Sequence, residues 1–245
     1  MNKGLPILSN SITEIGYISR TSTQGKEYMM VQAFLQCIND KYKNCKNKKA
    51  MVFIEPQVET GFPDIVIVEY YSLPQNCWND ARSNLNTTDL KILFFIQTNS
   101  ALSLEKISHT LGFPREIVEE SVQRLNKAKM VHLYKNGTVF RVPLETYCKI
   151  KNIISIEAKI NKWSDAIRQA NNNAWFSTES YVLLNKESYS QRISDVCEQY
   201  GVGILLFNGV LKKAKNSAFR ALPVSFASLQ FNEWLIRYYH QENLL

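Results

Sequence analysis

The chain has 245 residues, 45% of them hydrophobic, and no low-complexity tract, which excludes a disordered or fibrous polypeptide and allows one large domain or two small ones. Lys and Arg number 29 against 22 Asp and Glu, a net charge of +7 that suits nucleic acid or another anionic partner without requiring one. No apolar run reaches the length of a membrane span, and the first residues lack the apolar segment and cleavage site of a secretory signal, so a cytoplasmic location is expected.

The first strong helix pattern is TSTQGKEYMMVQAFLQCI, in which Tyr28, Val31, Leu35 and Ile38 form an apolar stripe and Glu27 stands at the start. VFIEPQVETG follows, an apolar strand run closed by a turn, with Glu55 and Glu59 flanking it. It leads into GFPDIVIVEYY, which puts Asp64 at the mouth of an Ile/Val-rich strand.

Residues 87–142 read differently. Thr87-Thr88-Asp89 suggests an N-cap before LKILFFIQT, Ser103 caps LEKISHTLG, and Gly112 ends it. PREIVEESVQRLNKAKM then keeps Ile117, Val118, Val122 and Leu125 on one face. VHLYK-NG-TVFRV makes two alternating strands about Asn136-Gly137, a dipeptide suited to a type I′ turn.

IKNIISIEAKI resumes the buried-strand pattern and carries Glu157 and Lys159 at i and i+2, on one pleat face. NKWSDAIRQANNNAWF is an amphipathic helix, followed by strand YVLLN, helix ISDVCEQY and strand GVGILLFN. Basic LKKAKNSAFR comes next, with Lys212 and Lys213 placed to track a phosphate backbone.

Charges on apolar strands are costly and need a reason. If the Asp64 and Glu157 strands pair, two carboxylates and the Lys159 ammonium meet in a compact pocket. Two hard carboxylate ligands suit Mg²⁺ or Mn²⁺, which polarises a phosphoryl oxygen and lowers the pKa of a bound water, so a phosphodiester is the expected substrate. Lys159 would orient or deprotonate the water, or offset charge developing on phosphorus. The five cysteines, Cys37, Cys45, Cys77, Cys148 and Cys197, show no zinc spacing and read as reduced thiols. His109, His132 and His240 are likewise scattered. No Ser/His/Asp or Cys/His motif and no phosphate-cradling Gly-rich loop supports acyl transfer or ATP-driven chemistry.

The Pro63-Asp64 pair, followed by Glu157-Ala158-Lys159 on the neighbouring strand, resembles the PD-(D/E)XK (restriction endonuclease-like) nuclease superfamily. That resemblance implies an α/β, mixed-sheet core and catalytic roles for Asp64, Glu157 and Lys159. It also implies a third acidic residue from the first core helix, where Glu27 is placed, with Glu55 and Glu59 as alternatives. A glutamine on the helix after the Glu-X-Lys strand recurs in the superfamily, and Gln169 matches it. Trp163 and Trp175 flank that helix and read as core more than as base-stacking residues. The inserted segment resembles a winged helix-turn-helix, mostly α with a β-wing. Its DNA-contacting residues would be Gln123, Arg124 and Lys127 on the helix after the turn, with Lys135 and Arg141 on the wing. Three glutamates near that helix's start, Glu116, Glu119 and Glu120, suit a protein-docking insert equally well.

The organisation expected is therefore a discontinuous nuclease-like domain over 1–82 and 146–245, interrupted by a winged-helix insert at 83–145. The function expected is a Mg²⁺- or Mn²⁺-dependent DNA endonuclease in defence, mobile-element processing or repair, and the resemblance implies in-line attack that leaves a 5′-phosphate. One active site per chain makes double-strand cutting depend on a homodimer, a partner subunit or successive nicks. The alternative is a non-catalytic DNA-binding or assembly protein that keeps the nuclease fold as scaffold.

Overall fold

The computed structural model describes residues 5–21, 24–44, 49–74 and 77–242; Cys45 lies outside the described residues. Contacts divide the chain into two compact units, Met1–Tyr71 with Ile150–Val224, and Ser72–Lys149 with Ser225–Leu245.

The first unit begins with β1 (Ile7–Leu8), α1 (Lys26–Lys43), β2 (Lys49–Ile54) and β3 (Ile65–Tyr70). The second supplies α2 (Thr87–Gln97), β4 (Ala101–Ser103), α3 (Leu104–Leu111), α4 (Arg115–Lys127), β5 (Val131–Leu133), β6 (Thr138–Arg141) and α5 (Leu144–Tyr147). The chain then returns to the first unit for β7 (Ile150–Lys159), α6 (Trp163–Asn173), β8 (Glu179–Asn185), α7 (Gln191–Gln199), β9 (Gly203–Phe207) and β10 (Leu211–Lys215). It ends on α8 (Phe226–Gln241) in the second unit.

The first unit is α/β, built on a seven-stranded mixed sheet in the order β1-β2-β3-β7-β8-β9-β10. β3 runs antiparallel to both β2 and β7, and β7, β8 and β9 run parallel. Parallel neighbours need a crossover, which α6 and α7 supply. Val182 and Leu184 face α6 and α7 with Ile204 and Leu206, while Tyr181 and Leu183 face the α1 side with Ile65, Ile67 and Ile156. Burial on both faces is why these strands read as continuous apolar runs with no alternation. On α1 the packed stripe is Val31, Phe34, Leu35 and Ile38. Tyr28, one turn earlier, stays 37% exposed instead of joining that core, and Phe34 fills the centre.

β10 is a strand that the sequence pattern does not predict, since LKKAK has no apolar period. It pairs antiparallel with β9 at the sheet edge, where lysines discourage further pairing.

The second unit places α2, α3 and α4 with a three-stranded sheet in the order β4-β6-β5. The N-cap of α2 is Asn86, one residue before the Thr87-Thr88-Asp89 stretch expected, with Asp89 closing a capping box at the third helical position. Ser103 caps α3 and Gly112, at φ 70°, ends it. The β5–β6 connection is not type I′, because only Gly137 takes a positive φ, 79°. Gly137 N–H donates to Tyr134 O and Tyr134 N–H to Thr138 O, so three residues, not two, turn the chain.

Residues 225–245 group with this second unit and not with the sheet, contrary to the expected boundaries. The reason is polar as well as apolar. Arg82, 2% exposed, donates to both carboxylate oxygens of Glu233 on α8 and to Tyr147 O, and Arg237 donates to the carbonyls of Arg82 and Leu85. A buried guanidinium is tolerated only when its donors are used in this way.

Candidate active site

β3 and β7 pair with Ile65 opposite Ile156, which brings the residue just before β3, Asp64, level with the end of β7. Ala158 N–H donates to Asp64 Oδ2 at 2.8 Å, fixing the carboxylate between the two strands. Lys159 Nζ lies 3.8 Å from the same Asp64 oxygen and 3.3 Å from Glu27 Oε2. Glu27 Oε1 also accepts from Ile160 N–H at 3.4 Å, so the first turn of α1 is tied to the end of β7. Asp64, Glu157, Lys159 and Glu27 thus gather at one end of two adjacent strands.

These residues line or back a small cavity of about 130 Å³ walled by Glu27, Tyr28, Asp64, Ala158 and Lys159. Glu55 lines it too, but its carboxylate is held by Arg20. Glu55 takes φ 45°, a left-handed backbone costly for a side chain of this size, and its N–H and C=O bond to Asp64 O and Arg20 N–H. Glu59 is exposed and does not line the cavity.

Glu157 is 2% exposed, behind Asp64. Burial and the neighbouring Asp64 carboxylate push its pKa up to about 8, against the pull of the Asn173 hydrogen bond and Lys159. Burial also raises Asp64, opposed by Lys159 and the Ala158 N–H. Burial works to lower Lys159, but Asp64, Glu27 and Glu157 outweigh it and hold the ammonium protonated above its ordinary range. Glu157 Oε1 accepts from Asn173 Nδ2 at 2.6 Å, whereas buried Oε2 has no hydrogen-bond donor among the described residues. Two ionised carboxylates have no proton to share. One proton between them, or one cation, resolves the contact.

Among the described residues no group of three or more His, Cys, Asp and Glu side chains has metal-ligating proximity. The donor set is instead two adjoining carboxylates, one with a buried oxygen lacking any donor among the described residues. That chemistry suits Mg²⁺ or Mn²⁺, which bind through one or two carboxylates and keep several waters.

Comparison with known proteins finds no matching family model, curated protein or solved structure.

Gln169 lies on α6 between buried Ala166 and Asn173, half-buried, its Oε1 without a hydrogen-bond partner and no bond joining it to Lys159 among the described residues. Four residues on, Asn173 is the amide that reaches the site. The sequence reading missed it, although an i, i+4 amide pair on a helix after Glu-X-Lys was a usable signal. Trp163 and Trp175 are half-buried; Arg192 lies over the former, and Trp175 Nε1 donates to Thr60 Oγ1.

The expected DNA-contacting residues fare unequally. Gln123, Lys127 and Lys135 are exposed, and Arg141 is exposed with one long bond to Gln97 O at 3.4 Å. Arg124 is not free for a phosphate. Its Nε and Nη2 clamp the fully buried Asp89 carboxylate at 2.8–3.2 Å. On β10, Lys212 is exposed, while Lys213 lies 4.9 Å over the Tyr181 ring and 4.0 Å from Glu179 Oε2.

Proposed function

We propose that the seven-stranded unit is a Mg²⁺- or Mn²⁺-dependent DNA endonuclease with the PD-(D/E)XK arrangement. The observation that carries this reading is the meeting of Asp64 and Glu157 from adjacent strands, with Lys159 3.8 Å from Asp64. A scaffold has no use for a buried, mutually repelling carboxylate pair, whereas perturbed acids beside an ammonium in a cleft are what phosphoryl chemistry needs.

Asp64 and Glu157 would hold the cation, which supplies charge to the phosphoryl oxygens and acidifies a water. Lys159 stays protonated, so it serves as a hydrogen-bond donor to the attacking water or the developing phosphorane charge, and not as the proton acceptor. Glu157, protonated below about pH 8 without metal, would give up that proton on taking the cation, and so serves as a ligand and not as the proton acceptor. Glu27 fixes the direction of the Lys159 ammonium through its 3.3 Å contact.

For the second unit the order α2-β4-α3-α4-β5-β6 supports a winged helix-turn-helix reading. Exposed Gln123, Lys127, Lys135 and Arg141 are its DNA-facing set. A protein-docking role is the second reading, favoured because Arg124 is committed to Asp89 and Arg115 to Glu119, leaving an α4 face with little positive charge.

Cleavage of supercoiled plasmid and single-stranded DNA with Mg²⁺ or Mn²⁺, wild type beside Lys159→Ala, tests the catalytic reading. Cutting by wild type with a loss of about a hundredfold or more in Lys159→Ala is expected. No cutting by wild type, together with metal-independent DNA retardation, moves the assignment to the non-catalytic scaffold.

A further inference from the structure

A second cavity, of about 390 Å³, lies between α1 and the β1 edge of the sheet. It shares Tyr28 and Ile54 with the smaller cavity at Asp64, so the two adjoin. Pockets for small organic ligands begin at about 300 Å³. Its α1 wall is a single stripe: Tyr28, Gln32, Leu35, Gln36 and Asn39 fall at i, i+4, i+7, i+8 and i+11.

The lining is unlike the rest of a chain with net charge +7, because none of the described residues that form it is charged. A phosphate would meet no cation among them. Amides and hydroxyls above a floor of Leu35 and Ile54 suit a flat heterocycle with donors and acceptors on its edge, the chemistry of a nucleobase. Asn39 Oδ1 already accepts from Leu5 N–H at 2.9 Å, and Gln36 leans toward Asp40 at 3.3 Å. Gln32, exposed on the same stripe, is the amide best placed to read an edge. Tyr28, 37% exposed at the wall common to both cavities, offers a ring face. A base in a stacked duplex has no free face to offer in return.

We propose that this groove takes the base of an unpaired nucleotide adjoining the phosphate in the Asp64 cavity, stacked on Tyr28 and hydrogen-bonded by Gln32. The substrate class is then single-stranded or locally unpaired nucleic acid. This deepens the nuclease reading and rests on it.

The test is fluorescence anisotropy with a short labelled single strand and a blunt duplex, using the full chain carrying Asp64→Asn in Mg²⁺, with Tyr28→Ala, Tyr28→Phe and Gln32→Ala added. Melting curves exclude misfolded variants. Tyr28→Ala is expected to weaken single-strand binding about tenfold while Tyr28→Phe retains it, since stacking needs only the ring. Gln32→Ala should alter preference among homopolymers, and duplex affinity should not move. Unchanged single-strand affinity in Tyr28→Ala, or equal loss in Tyr28→Phe, overturns the groove assignment. Plasmid cleavage by protein with Asp64 intact separates the two readings. Binding through Tyr28 without any cutting leaves the groove standing and removes catalysis; cutting with no role for Tyr28 does the reverse.

Discussion

Asn173 Nδ2 donates a 2.6 Å hydrogen bond to Glu157 Oε1, so one buried side chain on α6 fixes the orientation of another on β7. The bond also favours the ionised form of Glu157 and opposes the upward push from burial and Asp64. In Asn173→Ala the carboxylate loses its donor and its pKa rises further. A stability loss of about 1–3 kcal/mol is expected in the absence of metal. The Mg²⁺ concentration needed for thermal stabilisation should rise at neutral pH and recover at higher pH. An unchanged metal requirement would detach Asn173 from the site.

The carboxyl pair makes the metal-free protein pH-sensitive in a defined direction. Glu157 binds its proton more tightly folded, at about 8, than unfolded, at 4.5. Its contribution to stability is therefore complete below about pH 4.5 and is lost as pH rises through about 8. Asp64, also raised, adds in the same direction. Melting temperature in EDTA should fall across that interval, and Glu157→Gln should flatten the fall. Each unit of pKa difference is worth about 1.4 kcal/mol, so the change is measurable. Mg²⁺ should act oppositely, stabilising more as pH rises, because the cation takes the proton's place. Parallel curves for wild type and Glu157→Gln would refute the raised pKa that burial and Asp64 give Glu157.

Arg124 divides a structural role from a DNA-binding one. Its guanidinium clamps Asp89, a fully buried carboxylate that also closes the N-cap of α2. Arg124→Ala strands that charge and should cost about 3–5 kcal/mol in a denaturant titration. Lys127→Ala and Gln123→Ala, at exposed positions, should leave stability within about 0.5 kcal/mol. Loss of DNA binding in Lys127→Ala at full stability would support the winged-helix reading, while Arg124→Ala carries no such inference.

What the sequence made legible is the part governed by period and by isolated charge. The Ile/Val runs located β3 and β7 because both faces are buried, and Asp64, Glu157 and Lys159 were conspicuous because charge on such runs is costly. Glu27 was placed at the start of α1, where the structure ties it to Lys159. The misses are of another kind. Asn173 is an amide among three consecutive asparagines, set apart only by lying four residues after Gln169 on the same helix face. β10 is held by pairing to β9 and not by its own pattern. α8 joins the second unit through a broad apolar face together with Glu233 meeting Arg82, 151 residues away, and that partner is invisible in the local sequence. Arg124 falls on the outward side of α4 by period, and the Asp89 that it clamps lies 35 residues earlier in the chain.

Gly203 supports the site from two strands away. Its backbone meets the Tyr181 ring so closely that a Cβ there would fall 2.2 Å from Tyr181 Cε1 and 2.7 Å from Ser217 N. Neither neighbour is free to retreat. Tyr181 donates its hydroxyl to Glu179 Oε2 at 2.5 Å, and Ser217 accepts from Ser180 N–H at 2.9 Å. Gly203→Ala is therefore an overpacking change, expected to cost about 1–3 kcal/mol or more. β8 pairs Tyr181 with Ile156, next to Glu157, so any shift that relieves the clash passes into β7. Metal-induced stabilisation should weaken along with melting temperature. Gly209→Ala is the control: it has φ 86° but nothing among the described residues within 4 Å of the place its Cβ would take, and should cost only about 1 kcal/mol with metal response intact. A loss in Gly203→Ala no larger than in Gly209→Ala would show that the Tyr181 ring gives way without cost, since Gly203 itself has no positive φ.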